Sequence, residues 1–376
     1  MKVAHFVGLR KLEIVELPRP RLSEPDHVLL RIDRVGVCGS DIHYYLDGRI
    51  GPQVLSYPAT LGHECAGTVV EVGAEVEGLR PGDRVAVDPA MACGTCDQCR
   101  AGRSNTCRHA QFMGGPSEAL GAVAEYRVVP AENCLPISDA MTLDDAALVE
   151  PLTVALHALR LGEVASAARI AVLGAGPIGL SVLLVAKAVA TCTVYVTDLL
   201  DRRLEVARQC GADWTGNAGR SEEMGTGSEP QRAQHGESTS GEVPVPISSD
   251  VTAAILQQEP SGLDVVFECS GDPRCIDQGQ ELLAPGGTLV MVGIPPTEQV
   301  SFDVHQMRRK ELTFKNVRRQ CGCIAPVIRM VSEGRINPRP LLTHRFPLER
   351  IGEAFELVAG YRDGVIKAVI DVSSAP

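Results

Sequence analysis

The chain has 376 residues, of which 44% are hydrophobic and 22% charged, so it can bury a sizeable core and is not disordered as a whole. Its formal net charge of −11 predicts an acidic surface, which argues against nucleic acid or a membrane surface as a partner. At about 150 residues per domain, this length predicts two or three domains. The 13 cysteines accompany no export signal, so we expect a reducing compartment and a cytoplasmic location.

The first 150 or so residues are predicted to be rich in β-structure. Short runs of β-branched and other apolar residues occur at 27–33, 68–72 and 84–88. Gly and Pro lie between these runs, as is typical of the turns between short strands.

This β-rich part contains four residues of metal-ligand type, namely Cys38, His63, Glu64 and Glu150. Taken singly, Cys38 could be a small buried side chain, His63 a hydrogen-bonded core residue and Glu150 a helix cap. Their spacing alone does not unite them. Sulfur, imidazole and carboxylate together, however, make a zinc site that can keep one position open for water or substrate.

A second cysteine-rich segment is much more compact in sequence. Four thiolates can close a tetrahedral zinc site, and a closed site is structural. An iron–sulfur cluster is the rival interpretation, but the last cysteine falls too late for the bacterial ferredoxin spacing. Free thiols without metal are the other alternative. The four residues are Cys93, Cys96, Cys99 and Cys107.

The pattern changes after about residue 150, where strand-like and helix-like segments alternate. Such alternation predicts βαβ units and a parallel sheet. Another helix is expected at 349–360, in a mixed C-terminal part. The strand-like runs are 170–173, 193–197, 263–267 and 288–292, and the helix-like segments are 177–190 and 201–210.

A glycine-rich motif, G-x-G-x-x-G, follows the first of these strands and opens the first helix. Gly174 permits a tight turn, Gly176 lets the backbone approach a pyrophosphate, and Gly179 lets the helix pack on the strand. Asp198 ends the next strand, where a carboxylate can bind the adenosine ribose and repel a 2′-phosphate. The motif therefore predicts a dinucleotide site that favours NAD, with NADP left open because Arg203 lies nearby.

Residues 216–247 interrupt the alternation. They are rich in Gly, Ser and Glu and nearly free of large apolar residues. This composition predicts a flexible surface insert without chemistry of its own, and a regulatory or partner-binding loop is the alternative.

Several of these motifs occur in the order found in one enzyme family. The run from Gly62 through His63, Glu64 and Gly67 to Gly73 resembles the signature of zinc-containing medium-chain dehydrogenases. The Cys38 box, the four-cysteine segment and the glycine motif fit the same family. Within it, the segments most similar to polyol dehydrogenases of the sorbitol (L-iditol) and xylitol type are 38–44, 149–154 and 343–349.

The resemblance implies both a fold and an activity. The fold is α/β: a Rossmann domain with a doubly wound parallel sheet, residues 152–318, binds NAD. A β-rich, GroES-like catalytic domain is split in sequence into residues 1–151 and 319–376. The implied reaction oxidises a secondary hydroxyl of a small-molecule polyol, such as sorbitol, xylitol or L-iditol, to the ketose with hydride transfer to NAD. The family also implies a homodimer or homotetramer.

The resemblance further implies roles for individual residues. Cys38, His63 and Glu64 would hold one catalytic zinc per chain, in addition to the structural zinc of the four cysteines. Glu150 would bind a zinc-bound water or ligate the metal itself, and both remain open. Gln320 departs from the family, because animal sorbitol dehydrogenases have an aromatic residue there. The implied substrate contacts are Tyr44, Phe112, Glu150 and Arg319, and the implied NAD contacts are Ile178, Asp198, Arg203, Val292, Gly293 and Ile294.

A proton must leave the site when the alcohol is oxidised. Zinc would lower the pKa of the bound alcohol. Ser40 and His43 match the positions that relay this proton through the nicotinamide ribose in zinc alcohol dehydrogenases, with His43 on the solvent side. The alternative is that His43 only hydrogen-bonds the cofactor.

Three other functions compete with this one. The chain could be another zinc dehydrogenase acting on L-threonine or a simple alcohol, but Glu150 followed by Pro151 and Leu152 argues against both. A protein that has lost catalysis would be expected to lose Cys38, His63 or Ser40, and all three are present. A zinc-finger nucleic-acid binder is disfavoured by the acidic net charge.

Overall fold

The computed structural model describes residues 1–116, 120–219 and 249–373. The chain divides into two compact units, Met1–Val154 together with Arg318–Pro376, and Ala155–Val317. Among the residues described, no helix has both the length and the apolar character needed to span a bilayer.

The N-terminal part consists mainly of short strands joined by turns. Among the described residues of this part, the two longest strands are β3, with 10 residues, and β6, with 9 residues. They lie next to each other in the sheet. Its elements are β1 (Lys2–Gly8), β2 (Lys11–Glu16), β3 (His27–Gly36), α1 (Gly39–Asp47), β4 (Arg49–Ile50), β5 (Gln53–Val54), β6 (Glu64–Val72), β7 (Arg84–Val87), β8 (Ala90–Met91), α2 (Asp97–Arg100), β9 (Gln111–Phe112), β10 (Tyr126–Pro130), β11 (Cys134–Pro136), α3 (Leu143–Ala147) and α4 (Val149–Leu161).

The second unit alternates strands and helices, as the sequence predicts. All of its described strand pairs are parallel, and the strand order in the six-stranded sheet is β14-β13-β12-β15-β16-β17. The chain order reverses between β12 and β15, which is the doubly wound Rossmann order. The elements are β12 (Arg169–Leu173), α5 (Pro177–Val189), β13 (Thr193–Asp198), α6 (Asp201–Gln209), β14 (Trp214–Asn217), α7 (Ser249–Gln258), β15 (Leu263–Glu268), α8 (Arg274–Leu282), β16 (Leu283–Met291), α9 (Val304–Lys310) and β17 (Thr313–Asn316).

The C-terminal part returns to the first unit and completes its sheet. Strand β3 lies between β6 and the last strand, so the N- and C-terminal segments share one sheet and one apolar core. The order is β11-β7-β6-β3-β19-β18, with β10 also paired to β3. The C-terminal elements are α10 (Ile324–Ser332), β18 (Leu342–Pro347), α11 (Ile351–Ala359) and β19 (Lys367–Asp371).

The predicted insert at 216–247 begins too early. Gly216 and Asn217 are the last residues of β14 and pair with Thr197 and Asp198 of β13. Glycine and asparagine are typical of loops, so the sequence predicts a loop here. Their backbone pairing with β13 makes them part of a strand instead. Residues 220–247 of the predicted insert lie outside the described residues.

Candidate metal centres and nucleotide site

The N-terminus of α1 holds the first candidate zinc ligand. Cys38 is the residue that precedes the helix, and its backbone N–H donates to Asp41 Oδ2 at 3.2 Å. The Ser40 hydroxyl donates to Cys38 Sγ at 3.3 Å. The thiolate is the form of cysteine that binds metal.

The structure brings Cys38, His63 and Glu64 together, although 25 or more residues separate Cys38 from the other two in sequence. One potential ligand atom from each lies within 4.8 Å of the other two. His63 and Glu64 are 4% and 1% exposed, at the beginning of β6. The sequence-predicted ligands of the catalytic metal therefore form one cluster, in which His63 and Glu64 are buried and Cys38 is partly buried.

Asp41 faces the imidazole of His63. Its Oδ1 lies 3.4 Å from His63 Nδ1, and both of these buried atoms lack a hydrogen bond within the described part of the chain. Burial opposes protonation of His63, but the charges of Asp41 and Cys38 outweigh burial and raise its pKa. A carboxylate facing one ring nitrogen is the usual arrangement of a metal-binding histidine, so these residues fit a metal ion.

Glu64 carries a buried counter-ion. Lys367 Nζ donates to Glu64 Oε1 and Oε2 at 2.6 and 2.7 Å, and to the backbone oxygen of Val37 at 3.2 Å. Both side chains are 1% exposed. Burial opposes the charge of Lys367, but Glu64 and Cys38 raise its pKa above the usual value. A Cβ at Gly36 would lie 2.2 Å from Glu64 Oε2, so this position in β3 requires glycine.

Glu150 lies beside this cluster at the beginning of α4. It is 8% exposed, and burial raises its pKa to about 7. The charges of Glu64 and Asp88 raise the pKa further, and those of His63 and Lys367 lower it. The Glu150 carboxyl interacts electrostatically with both His63 and Glu64. It can therefore hold a polar ligand near them.

The predicted substrate residues form a wall next to the cluster. The ring of Phe112 is 5.2 Å from that of His63, and the guanidinium carbon of Arg319 is 3.8 Å from the centre of the Phe112 ring. Burial lowers the pKa of Arg319 to about 10, with a further decrease from Arg318, while Glu150 and Tyr44 raise it. Burial also raises the pKa of Tyr44, so its phenol stays neutral at ordinary pH.

His43, the second predicted proton-relay residue, lies on α1. It is one helical turn after Ser40, and such i, i+3 pairs lie on the same face of a helix. The His43 side chain is 32% exposed and its Nδ1 is 3.7 Å from Asp47 Oδ2. Ser40 therefore contacts the candidate zinc ligand Cys38, and His43 reaches solvent.

The four cysteines of the second predicted site also converge. Sγ–Sγ distances are 3.4 Å for Cys93 and Cys107, 3.6 Å for Cys96 and Cys99, and 3.8 Å for Cys96 and Cys107. Zinc–sulfur bonds of about 2.3 Å in a tetrahedron place sulfurs about 3.8 Å apart, so the group fits zinc.

The local backbone already favours thiolates at this site. Backbone N–H groups of Thr95 and Cys96 lower the pKa of Cys93 to about 6. Partial burial and the neighbouring thiols of Cys96 and Cys107 raise the pKa of Cys99 to about 12. Several thiolates in such close contact need a cation to balance them, which a divalent metal supplies.

In the second unit, the glycine motif forms the turn between β12 and α5. Gly174 has φ of +100°, a conformation that favours glycine. A Cβ at Gly179 would lie 1.9 Å from the Gly174 carbonyl oxygen, so helix and turn pack as closely as predicted. Gly176 precedes the first residue of α5 and Ile178 is the second, so both lie at a helix N-terminus suited to phosphate.

Asp198 and Arg203 lie at the same edge of the sheet. Asp198 Oδ2 accepts from the Ala175 N–H at 2.8 Å, and Oδ1 accepts from the Leu200 N–H at 2.9 Å. Arg203 Nη1 is 3.6 Å from Asp198 Oδ2. The carboxylate therefore holds the backbone of the glycine turn and of the loop after β13.

The predicted NAD contacts after β16 depend on Glu268. The N–H groups of Val292 and Gly293 donate to the Glu268 backbone oxygen at 2.8 and 2.9 Å. The Glu268 carboxylate accepts from the Ser270 and Gly271 N–H groups at 2.7 and 2.9 Å. Ile294, the third residue of the predicted run, is 43% exposed.

Two family models match the chain. The "Alcohol dehydrogenase GroES-like domain" matches residues 24–139, and the "Zinc-binding dehydrogenase" domain matches residues 177–333. Sorbitol dehydrogenase of Mus musculus is 38% identical over 354 residues, covering 94% of this chain and 91% of that protein.

The chain belongs to the zinc-containing medium-chain dehydrogenases. The predicted family and fold class, a GroES-like domain with a Rossmann domain, are therefore confirmed. D-xylulose reductase of Saccharomyces cerevisiae is also similar, at 35% identity over 362 residues, with 96% of this chain and 95% of that protein covered. An alcohol dehydrogenase of Escherichia coli crystallised with NADH superposes with a TM-score of 0.83 at 29% identity, covering 99% of each chain.

The sequence did not point to four residues that the structure places in these sites. Asp41 faces His63, Lys367 pairs with Glu64, Asp88 lies near Arg319, and Glu268 organises the loop after β16. A signal existed for Lys367, because a single lysine interrupts the otherwise apolar run 365–370. The other three are acidic residues next to turns, which are common on protein surfaces.

Proposed function

We propose that the chain is an NAD-dependent, zinc-dependent polyol dehydrogenase that oxidises a secondary hydroxyl of sorbitol, xylitol, L-iditol or a similar sugar alcohol to the ketose. The observation that carries the proposal is the largely buried cluster of Cys38, His63 and Glu64, with Phe112 and Arg319 next to it. The names of the sorbitol dehydrogenase and D-xylulose reductase relatives support this substrate class.

In this proposal, Cys38, His63 and Glu64 hold the catalytic zinc. Zinc, when bound, lowers the pKa of an alcohol hydroxyl, and NAD accepts the hydride. Asp41 orients His63, and Lys367 balances the charge of Glu64. Cys93, Cys96, Cys99 and Cys107 hold the structural zinc.

The remaining residues of the site bind substrate and move the proton. Arg319 offers a planar fork of donors to adjacent hydroxyls, and Phe112 supports its guanidinium face. Tyr44 and Glu150, whose charges both act on Arg319, would contact the same substrate, and Glu150 holds either the water of the metal or the metal itself. The Ser40 hydroxyl takes up the proton of the alcohol as it passes its own proton on toward His43, which releases a proton to solvent.

The proposed domain roles follow the division of the chain. Residues 1–151 and 319–376 form the catalytic domain, and residues 152–318 bind NAD. In the second domain, Gly174, Gly176, Gly179 and Ile178 hold the pyrophosphate, and Asp198 binds the adenosine ribose beside Arg203. Val292, Gly293 and Ile294 also contact NAD.

A cytoplasmic homodimer or homotetramer is part of the proposal. None of the 13 cysteines, all of which lie within the described ranges, forms a disulfide, and a metal site of four thiolates suits a reducing compartment. Light scattering of the purified protein after size-exclusion chromatography would distinguish a dimer or tetramer from a monomer.

The activity is tested by NADH formation with zinc-loaded protein on a panel of sorbitol, xylitol, L-arabinitol, L-threonine and ethanol. Turnover of one or more polyols in preference to the other two supports the proposal. Turnover of L-threonine or ethanol alone would assign the chain to a different zinc dehydrogenase. No turnover of any of the five by zinc-bound protein would contradict the proposed substrate class.

A further inference from the structure

Arg319 and Gln320 are adjacent in sequence but have different partners. The Arg319 guanidinium stacks on Phe112, 3.8 Å from the ring centre. Gln320 Nε2 donates to Asp88 Oδ2 at 2.8 Å, and Gln320 Oε1 accepts from the Cys323 N–H at 2.9 Å. Gln320 is only 6% exposed, and both ends of its amide are hydrogen-bonded within the protein. Its side chain therefore holds the loop in place instead of contacting solvent.

The partner of Gln320 is itself fixed. Asp88 follows β7 directly, and its Oδ1 accepts from the Ala90 N–H at 3.0 Å. The Asn133 amide donates to the backbone oxygens of Asp88 and Ala90 at 2.9 and 3.1 Å. The Gln320–Asp88 hydrogen bond therefore ties the loop of Arg319 to a rigid turn 232 residues earlier in the chain.

The backbone of Arg319 needs such support. Its φ is +54°, in the left-handed region that a long side chain occupies at a cost. A conformation of this kind persists where surrounding contacts determine it. The two hydrogen bonds of Gln320, one to Asp88 and one to Cys323, are made by the residue that directly follows this strained position.

We propose that Gln320 is a positioning residue that holds the Arg319 guanidinium over Phe112 by anchoring the loop to Asp88, without contacting the substrate itself. This inference rests on the proposed function, in which Arg319 binds hydroxyls of the polyol. A guanidinium fork binds two adjacent hydroxyls only in the correct orientation, so loosening the loop weakens substrate binding. Where animal sorbitol dehydrogenases have an aromatic residue, this chain has an amide anchor.

A swap of donor and acceptor tests this role without changing net charge. Gln320→Glu places two carboxylates face to face, and Asp88→Asn places two amide N–H groups face to face. In the double variant, the new amide at position 88 donates to the new carboxylate at position 320. The amide oxygen at position 88 keeps its bond to Ala90, and the second carboxylate oxygen at position 320 keeps its bond to Cys323. A residue that touched the substrate directly would not be rescued by this swap.

The expected result is a split between kinetic parameters. Each single variant should raise KM for the best polyol about ten-fold and change kcat by less than about three-fold, with KM for NAD unchanged. The double variant should return KM to within about three-fold of wild type. In an Arg319→Ala background, Gln320→Glu should add no further increase in KM. Unchanged KM in both single variants, or no recovery in the double variant, would overturn the proposal.

A readout independent of activity separates this inference from the proposed function. Hydrogen exchange of the peptide containing Cys323 should be faster in both single variants and return to the wild-type rate in the swap. If wild type oxidises no polyol, the proposed function fails while this exchange pattern still tests the anchor. If a single variant does not fold, Gln320→Met, which keeps the volume and loses both hydrogen bonds, replaces it. Wild-type exchange in Gln320→Met would contradict the anchor.

Discussion

Lys367 donates to both carboxylate oxygens of Glu64, and its third N–H donates to the Val37 backbone oxygen. All three donors of the ammonium group are thereby satisfied in a place where water does not reach. The arrangement arises because β3 lies between β6 and β19 in the sheet. Glu64, the first residue of β6, and Lys367, the first residue of β19, therefore both lie near the end of β3. Glu64 therefore reaches the candidate metal site as a neutralised carboxylate, which lowers the cost of burying it.

Lys367→Met should destabilise the protein strongly, because it removes the buried ammonium group that donates to both carboxylate oxygens of Glu64. We expect a loss of about 3 kcal/mol in the free energy of unfolding, measured by urea denaturation. Lys187→Met, which removes a partly exposed pair with Asp213, is the matched control and should cost at most about 1 kcal/mol. Adding Glu64→Gln to Lys367→Met should recover part of the loss. Equal effects of Lys367→Met and its control would contradict the account of this pair.

Cys96→Ser should release the metal of the four-cysteine site and leave the other site loaded. The zinc content, measured by mass spectrometry of metals, should decrease from two ions per chain to one, since the part of the chain that the structure describes has two groups of metal-ligand side chains. Cys210→Ala, at a buried thiol outside both groups, should leave the zinc content unchanged. A wild-type content of one ion, unaffected by Cys96→Ser, would show that the four thiols hold no zinc.

Ser40→Ala should slow turnover without loss of metal. The Ser40 hydroxyl contacts Cys38 but is the proposed proton acceptor rather than a metal ligand. We expect kcat to decrease by about 10²-fold with the zinc content retained. Ser138→Ala, on the surface beside Ser332, serves as the control. Unchanged kcat in Ser40→Ala would remove Ser40 from the proton path.

Asp198→Asn should weaken NAD and admit NADP. The asparagine can keep one backbone hydrogen bond of the turn, but it loses the charge that repels a 2′-phosphate and pairs with Arg203. We expect KM for NAD to rise about ten-fold and kcat/KM for NADP to increase, measured side by side. Asp213→Asn is the control. If Asp198→Asn left the preference for NAD over NADP unchanged, the role of Asp198 in binding the ribose would be contradicted.

The stability of the protein should decrease as pH falls below neutrality, in part because of His157. Burial, together with the charge of Arg160, lowers the pKa of His157 below its ordinary value. The unfolded chain therefore takes up this proton first as pH falls below about 6.5, which favours unfolding. His157→Gln should reduce the decrease in Tm between neutral and mildly acid pH. His109→Gln, at an exposed position, should leave the pH dependence of Tm as it is in wild type.

The sequence predicts the parts of this protein that depend on local patterns. Gly174 and Gly179 are recognisable because a turn and a close approach tolerate only glycine, and the four cysteines are recognisable because one short segment contains them all. Each pattern lies within a short stretch of sequence, so a single chain shows it without any knowledge of the fold.

The structure adds pairings between residues far apart in sequence. Glu64 and Lys367 are 303 residues apart, and Asp88 and Gln320 are 232 apart. Nothing local links such residues, because the sheet that unites the N- and C-terminal segments creates their proximity. The start of the predicted insert was wrong for the same reason, since β13 pairs with Gly216 and Asn217, which have no strand pattern of their own.

The most direct test of the central claim is the rate of NADH formation from sorbitol and xylitol by zinc-loaded wild-type protein, measured beside Cys38→Ser. The account predicts turnover of at least one of these polyols by wild type. It also predicts a decrease of at least about 10³-fold in Cys38→Ser, which still binds zinc at the four-cysteine site. Polyol oxidation that persists in Cys38→Ser, or its absence in zinc-loaded wild type, would contradict the account.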